Sequence, residues 1–419
     1  FAALPAWAQD AAAAAPTPDK GDTAWMMVST VLVLAMILPG LALFYGGLVR
    51  TKNMLSVMTQ IGAVAAFAML IWVIYGYTMA FGDGGNAVIS GFGKLFLAGV
   101  TPDSTAATFT DGVVIPEYVF ICFQMTFAAI TPALIVGAFA ERAKFSGVIL
   151  FTVLWVTFIY FPIAHMVWDG SGLIFNWGAI DFAGGTVVHI NAGIAGLVWA
   201  IMLGKRIGLG RDNMAPHSMT LTMVGAAMLW VGWFGFNAGS NLEATSNATL
   251  AMMNTFIATA GAVVSWSLVE GMMRGKSSGL GAASGMVAGL VAVTPACGTS
   301  GPIGALLLGL AVSPVCYFFV TTIKSKFGYD DSLDVFGVHG IGGIVGAIGT
   351  GVVYAPSLGG PGGDDFMMGS QVITQIIAVL VAIGWAAVGT LIAGFVTKMI
   401  TGLRVSPEVE MEGLDIGEH

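Results

Sequence analysis

The sequence has few charged residues. Asp, Glu, Lys and Arg together make up 9% of its 419 residues, whereas a soluble domain carries about 25%. No basic run is present that would indicate a nucleic-acid partner. The chain is instead 57% hydrophobic, with a mean hydropathy of +0.87. This composition predicts an integral membrane protein.

Cysteine is also scarce, and the motifs of energy-driven pumps are missing. The three cysteines lack the spacing of a metal site, and Cys122 and Cys316 lie in apolar windows where they are expected to pack in the core. We therefore predict neither a metal site nor a cofactor. No G-x-x-x-x-G-K-[ST] stretch occurs, which argues against ATP-driven pumping by this chain.

The sequence lacks the nucleophile motifs of intramembrane proteases, a class of membrane protein that can use a buried histidine. The serine type needs G-x-S-G, and the nearest strings, "DGSG" at Asp169 and "AASG" at Ala282, lack the first Gly. The string "GGDD" near Asp364 does not fit the G-x-G-D pattern of the aspartyl type. The sequence therefore predicts that the protein is not an enzyme.

The first residues have the features of a processed terminus. Ala6-Trp7-Ala8 fits the A-x-A pattern of a signal-peptide cleavage site, and an ordinary polar terminal segment is the alternative. We assign residues 1–22 to a signal-peptide remnant and a disordered N-terminus, residues 23–403 to a transmembrane domain, and residues 404–419 to an acidic cytoplasmic tail that is too short to fold alone.

Windows of about 20 apolar residues predict eleven transmembrane helices. They lie near residues 24–48, 56–81, 117–140, 146–168, 184–204, 217–239, 247–272, 278–296, 302–323, 335–354 and 368–400. The last window is long for one crossing, so the helix is expected to tilt or to project into the cytoplasm.

The basic residues test this count, because cytoplasmic loops are enriched in Lys and Arg. Of the 15 Lys and Arg residues, all but Lys20 and Lys94 fall in alternate loops or in the region from Lys398 onward. A miscounted helix would destroy this partition. The pattern places the N-terminus outside and the C-terminus in the cytoplasm. We expect the protein to lie in the inner (plasma) membrane.

Two segments, "VHINAGIAG" and "VHGIGGIVG", share the pattern V-H-x-x-x-G-I-x-G. Their histidines, His189 and His339, are 150 residues apart, and Asp181 and Asp331 stand eight positions before them. The histidines fall in helices five and ten, which enter from opposite sides. The chain therefore reads as an inverted repeat of five plus five helices (about 24–204 and 217–354) with an extra last helix (about 368–400), and such repeats place a transport site at their interface.

Each of these polar residues has a structural alternative. A buried His can simply bond a backbone carbonyl, although intramembrane ionisable residues are usually functional and a symmetric pair strengthens that reading. Two neutral imidazoles can also bond each other and present polar edges to a small solute. An Asp before a helix is a common N-cap, and we expect this role for both Asp181 and Asp331.

Five stretches resemble the Amt/Mep/Rh family of ammonium transporters, and the bacterial Amt branch most of all: "DFAGGTVVHINAG", "FYGGLVRTKN", "GWFGFNAGS", "VTPACG" and "DVFGVHG". The resemblance covers helices one to ten. Loop 82–116 and the tail match less clearly.

The resemblance implies a role for each matching position. It assigns ammonium recruitment to Trp168, Ser240, Phe127 and Phe123; support of that outer site to Asp181; a stacked gate to Phe127 and Phe236; and the pore to His189, His339, Trp233 and Thr294. It further implies a homotrimer with one pore per subunit, a PII signalling protein bound at the cytoplasmic face, and methylammonium as a substrate analogue.

These residue types suit selection of ammonium over potassium, an ion of similar size and charge. Aromatic faces attract a desolvated cation by about 0.5–2 kcal/mol each, and Ser240 can accept one N–H bond. An unpaired cation is costly in an apolar channel, but ammonium can lose a proton there and potassium cannot. We expect ammonia to pass the histidines after ammonium has lost its proton, and the resemblance implies net transport of charge. An electroneutral Rh-type ammonia/CO2 channel and an ammonium sensor that signals through a partner are the alternatives.

Overall fold

The computed structural model describes residues 16–419 of the chain. In this range the protein is a bundle of apolar helices with one short hairpin. In chain order the main helices are α1 Lys20–Leu48, α2 Thr51–Phe81, α3 Glu117–Phe139, α4 Phe145–Asn176, α5 Gly185–Leu203, α6 Met219–Gly239, α7 Ser246–Arg274, α8 Gly279–Val293, α9 Pro302–Phe327, α10 Phe336–Val353 and α11 Met368–Ile400.

Each of these helices coincides with one of the predicted windows, and the predicted all-α membrane architecture is confirmed. Among the described residues, ten helices are long and apolar enough to cross a membrane. The exception is α8, whose 15 residues reach about 22 Å, against a hydrocarbon thickness of about 30 Å. The number of complete crossings therefore stays a prediction.

Several helix ends differ from their predicted positions, and two of these differences have local reasons. Helix α1 begins at Lys20, within the segment predicted to be disordered, because the Asp19 carboxylate accepts hydrogen bonds from the first backbone N–H groups of the helix. Helix α8 ends at Val293 because Pro295, two residues later, has no backbone N–H group to continue the helical hydrogen bonds. The predicted cleavage site falls on residues 1–15, which lie outside the described residues.

Short elements complete the fold at the two ends of the bundle. Strands β1 Thr105–Ala107 and β2 Val114–Pro116 pair antiparallel in the loop between α2 and α3. After α11 the tail forms α12 Pro407–Glu412 and α13 Leu414–Gly417.

The tail packs against the helix bundle. The Asp415 carboxylate accepts hydrogen bonds from the backbone N–H groups of Leu55 and Ser56, at 3.1 and 2.7 Å, near the start of α2. Leu414 is fully buried, and the Glu410 carboxylate accepts the N–H of Ile207 at 2.7 Å. The acidic tail thus folds on the body of the protein, although it is too short to fold alone.

Helices α5 and α10 lie at the centre of the bundle and cross closely. Each begins with a π-helical turn, Gly185–Ile190 in α5 and Phe336–Gly340 in α10, and each turn carries one of the paired histidines. A Cβ atom on Gly193 would lie 2.2 Å from the backbone nitrogen of Gly340, so a side chain at this contact would force the helices apart. The repeated Gly of the shared motif therefore sets the approach of the two helices.

One packing prediction is wrong. Cys316 is buried as expected, but Cys122 is exposed on the outside of α3. An apolar window alone does not identify the buried face of a membrane helix, since lipid-facing side chains are as apolar as core ones. Cys122 therefore lies on the outer surface of the helix bundle.

Candidate functional site

The paired histidines meet at the crossing of α5 and α10. The Nδ1 atoms of His189 and His339 are 3.2 Å apart, and the rings are nearly parallel, with an interplanar angle of 22°. Both residues are buried, with exposed fractions of 1% and 4%. One ring must donate and the other accept, because a neutral imidazole carries a single N–H.

His189 stacks against two aromatic residues of α6. Its ring centroid lies 5.3 Å from that of Trp233 and 5.9 Å from that of Phe236, both in stacked arrangements. Its Nε2 atom is buried and has no hydrogen-bond partner among the described residues. The Trp233 indole N–H donates to the Thr294 hydroxyl at 2.9 Å, which fixes the plane of the indole ring.

The stack continues from Phe236 toward one end of the bundle. Phe236 and Phe127 have ring centroids 4.3 Å apart, and Phe127 meets Trp168 edge-on at 5.7 Å. Phe123 packs edge-on against Phe127 at 5.0 Å. Six of the seven predicted aromatic and histidine positions thus form one continuous column, beside which Phe123 packs: Trp168, Phe127, Phe236, Trp233, His189 and His339.

A wide cavity of about 750 Å³ opens at the Trp168 end of the column. Phe127, Trp168 and Ser240 line it together, as the sequence predicts for a recruitment site, whereas the buried Phe123 stands behind Phe127. The Ser240 hydroxyl donates to the Phe236 carbonyl at 2.8 Å, so its lone pairs can still accept a hydrogen bond.

A narrow cavity of about 270 Å³ reaches the column from the other side. His339 lines it together with Tyr45, Trp266 and Tyr317. Phe127, Phe236 and His189 separate the two cavities. Thr294 lines neither cavity; it is fully buried, accepts from Trp233 and donates to the Leu290 carbonyl at 2.7 Å.

Asp181 organises the start of α5. Its carboxylate accepts four backbone N–H groups, at 2.6–3.0 Å, from residues 184–187. Gly184 makes this turn with a φ of +117°, a backbone conformation that other residues rarely adopt. The Asp181 carbonyl also accepts the Trp168 indole N–H at 2.9 Å. The predicted N-cap therefore also holds Trp168 in place.

Asp331 repeats this arrangement at α10. Its carboxylate accepts the N–H groups of Val335 and Phe336, at 3.1 and 2.7 Å. Asp181 lines the wide cavity, whereas Ser332 and Asp334, next to Asp331, line the narrow one. Helices α5 and α10 therefore begin at opposite ends of the bundle, as an inverted repeat requires.

A buried charge cluster lies at the end of the bundle that holds the narrow cavity, and the sequence analysis did not identify it. The Arg206 guanidinium contacts Glu141 and Asp330, each at 2.9 Å, and Arg50 pairs with Glu141 at 3.0 Å. Burial alone would raise the pKa of Glu141 and of Asp330, but the neighbouring guanidinium groups outweigh burial and lower both pKa values. The cluster thus joins loops from both halves of the chain.

Two other residues of the wide cavity were also missed. Lys94 and Glu117 form an ion pair, with Nζ and Oε1 2.6 Å apart. The only hint in the sequence was that Lys94 stands apart from the basic loops. Among the described residues, no group of three or more His, Cys, Asp and Glu side chains is arranged to hold a metal ion.

The chain is similar to known proteins over most of its length. The family model described as the Ammonium Transporter Family matches residues 24–419. An ammonium transporter of Aquifex aeolicus is 46% identical over 407 residues, which cover 96% of this chain and 92% of that protein.

Solved structures agree with the fold. The structure titled "Sensor Amt Protein" has a TM-score of 0.87 at 29% identity, covering 95% of this chain and 98% of that one. Mep2 of Saccharomyces cerevisiae has a TM-score of 0.84 at 32% identity, covering 93% and 88%. The matched family consists of transporters rather than enzymes. The chain therefore belongs to the ammonium transporter family and is a multi-pass membrane protein.

Proposed function

We propose that the protein takes up ammonium by binding it in the wide cavity, removing its proton near the phenylalanine pair and conducting ammonia past His189 and His339, with net transport of charge. The observation that carries this proposal is the column of rings from Trp168 to His339, which joins a cavity on each side.

The wide cavity supplies what a desolvated ammonium ion needs. Trp168 and Phe127 offer aromatic faces, and the Ser240 hydroxyl can accept an N–H bond. Asp181 contributes no direct ligand, since four backbone N–H groups occupy its carboxylate. Its support of the recruitment site is the hydrogen bond that fixes Trp168.

Beyond Phe127 the path is closed to ions by packing. The rings of Phe127 and Phe236 are buried at 1% and 0% exposure and leave no charged group between them. An ion without hydration or a counter-charge is strongly disfavoured there. Ammonium can cross as ammonia after losing a proton, whereas potassium has no such alternative. This asymmetry is the proposed basis of selectivity.

The histidine pair provides polar atoms inside this apolar segment. With one proton shared between the two Nδ1 atoms, one outer ring nitrogen carries N–H and the other is an acceptor. Ammonia can use both kinds of group. The pair can also relay the proton that ammonium releases, in which case each cycle moves one positive charge across the membrane, worth about 2.3 kcal/mol per 100 mV.

We propose that the protein lies in the inner membrane of the cell. In this orientation the wide cavity faces outward and the narrow cavity faces the cytoplasm. The basic loops support this assignment, because the charge cluster of Arg206 lies at the narrow-cavity end. The proposed orientation requires eleven membrane crossings, of which α8 is the shortest. It places the N-terminus outside and the C-terminus in the cytoplasm.

We also propose a homotrimer and a PII signalling protein as partners, as the family resemblance implies. The docked tail supports regulation from the cytoplasmic side, because Asp415 contacts α2 and Glu410 contacts the loop after α5. Deleting residues 405–419 should therefore alter flux or PII binding. If both stay unchanged, the tail is not regulatory.

Two alternative functions can be distinguished from this proposal by experiment. An electroneutral gas channel would use the same column without charge movement, and a sensor would bind ammonium without sustaining growth; the similarity to a protein titled "Sensor Amt Protein" favours testing the latter. The direct experiment is expression in a microbe that lacks ammonium transporters. Transport predicts growth on low ammonium and competition by methylammonium. Verified membrane expression without growth would contradict it.

A further inference from the structure

The positively charged side chain of Lys94 lines the wide cavity, in which we propose that ammonium is recruited. Lys94 is the one basic residue among the described residues that line the wide cavity, which also holds Trp168 and Ser240. A free lysine there would repel an arriving ammonium ion. The position of its side chain explains how this charge is accommodated.

The Lys94 ammonium group is surrounded by one carboxylate and several aromatic rings. Its Nζ atom is 2.6 Å from Oε1 of Glu117 and 5.8 Å from the ring centroid of Tyr77. The Tyr77 hydroxyl donates to the same Glu117 oxygen at 2.7 Å. Phe120 and Phe81 extend the aromatic wall, with ring centroids 5.3 Å apart.

We call Tyr77, Phe81, Glu117 and Phe120 the Glu117 cage. All four residues line the wide cavity, so an ion from that cavity can reach them. The Glu117 side chain is 7% exposed, and a buried carboxylate without a cation is costly. The Lys94 side chain is 25% exposed and lies on the loop between α2 and α3, from which its flexible stem can swing into solvent.

A carboxylate beside aromatic faces is a general recognition site for ammonium groups. The cage already holds one such group, the primary ammonium of Lys94. A small ammonium ion has the same charge and the same N–H donors. The chemistry that accommodates Lys94 therefore also suits an ion from solution.

We propose that the Glu117 cage is a second cation site of the wide cavity, for ammonium and small alkylammonium ions, and that the Lys94 ammonium group occupies it as a tethered competitor. The competitor weakens capture by Glu117, whose full charge would otherwise hold an ion near the entrance. The inference rests on the proposed function, because it concerns the same substrate in the same cavity.

Crystals soaked in rubidium test the site directly, since rubidium has the charge of ammonium and scatters anomalously. In K94Q we expect an anomalous peak at ion-pair distance from the Glu117 carboxylate, and no such peak in wild type or in K94Q/E117Q. Absence of the peak in K94Q would overturn the site. A peak of equal height in wild type would show that Lys94 does not compete.

Transport supplies the second readout. In K94Q the KM for ammonium should fall about threefold, the scale of a partly exposed ion pair, with an unchanged maximal rate, and K94Q/E117Q should return to the wild-type KM. K20Q is the matched control, since Lys20 is exposed and does not line the cavity. An unchanged KM in K94Q would contradict competition.

The variant could lose stability, because it leaves Glu117 without its lysine. In that case methylammonium should raise the apparent melting temperature of K94Q more than that of wild type, since a ligand stabilises the state that binds it. Equal shifts would count against the site. If wild type conducts no ammonium, the proposed function fails; if wild type conducts and K94Q shows neither peak nor KM change, only this inference fails.

Discussion

The side chains of His189 and His339 meet through their Nδ1 atoms at 3.2 Å, although 150 residues separate them in the chain. The contact joins the two halves of an internal repeat at the crossing of α5 and α10. One face of the pair stacks on Trp233 and Phe236, and His339 reaches the narrow cavity. The pair therefore forms the end of the ring column that reaches the narrow cavity.

Replacing His189 by Ala tests whether this pair conducts. The substitution removes a polar partner for ammonia, and the loss of one hydrogen bond of about 1–1.5 kcal/mol slows passage about tenfold. A widened segment could instead admit potassium. We expect lower ammonium flux or a potassium leak in proteoliposomes. H217A is the matched control, because His217 bonds the Val49 carbonyl outside the column.

Unchanged ammonium flux and selectivity in H189A would show that the pair is structural. Protein assembly should be checked by size-exclusion chromatography in both variants, so that a folding defect is not mistaken for a loss of conduction.

Trp168 and Ser240 should determine the affinity for ammonium rather than the maximal rate. Loss of one aromatic face in W168L removes about 0.5–2 kcal/mol of cation binding, which raises the half-saturating concentration about 2- to 30-fold. S240A should act in the same direction. The control is W177L, since Trp177 is exposed and does not line the wide cavity. A wild-type concentration dependence in W168L would remove Trp168 from the recruitment site.

Asp181 should be more important for stability than Asp331. In D181N one oxygen replaces two, so about half of the four N–H groups lose their acceptor, and each charge-assisted bond contributes roughly 1.5–3 kcal/mol. Asp331 accepts only two such bonds. We expect a larger decrease in melting temperature in detergent for D181N than for D331N, together with a loss of transport as Trp168 is released. Equal decreases would contradict this account.

The buried charge cluster predicts a dependence of stability on pH. The pKa of Asp330 is lowered: burial opposes this, but the Arg206 guanidinium overcomes it. A lowered pKa stabilises the fold above about pH 4, and this contribution is lost as the pH falls through the folded-state value. D330N should therefore be less stable than wild type at pH 7, by about 3–5 kcal/mol if the pair is fully broken.

The difference between D330N and wild type should begin to shrink below about pH 4, where Asp330 takes up a proton in the unfolded chain, and should disappear below the lowered pKa of Asp330 in the folded protein. Melting temperatures from pH 3 to 8 measure this, with D103N on an exposed loop as the control. A difference that is independent of pH would mean that Asp330 is not ionised in the folded protein.

The sequence predicted those features that follow from one-dimensional patterns. Apolar windows located the helices, and the repeated motif placed His189 and His339 at the interface of the two halves, although it did not predict that their rings touch. Both Asp caps were predicted from their positions before a helix. The ring column was named through the family resemblance, since no spacing rule relates Phe127 on α3 to Phe236 on α6.

The remaining features depend on contacts between distant segments. Nothing local in the sequence pairs Lys94 with Glu117, or Arg206 with Asp330. The exposed position of Cys122 was mispredicted because lipid and protein core select the same side chains. The docking of the tail depends on the contact of Asp415 with the start of α2. This contact joins residues from opposite ends of the sequence, so no local pattern predicts it.

The central claim is that ammonium enters because it can give up its proton, which then crosses by a separate route. Currents from proteoliposomes on a solid-supported membrane test this most directly, with ammonium and potassium pulses applied to the same sample. The account predicts a current for ammonium and none for potassium. No charge movement on ammonium addition at verified protein density, or equal currents for both ions, would contradict it.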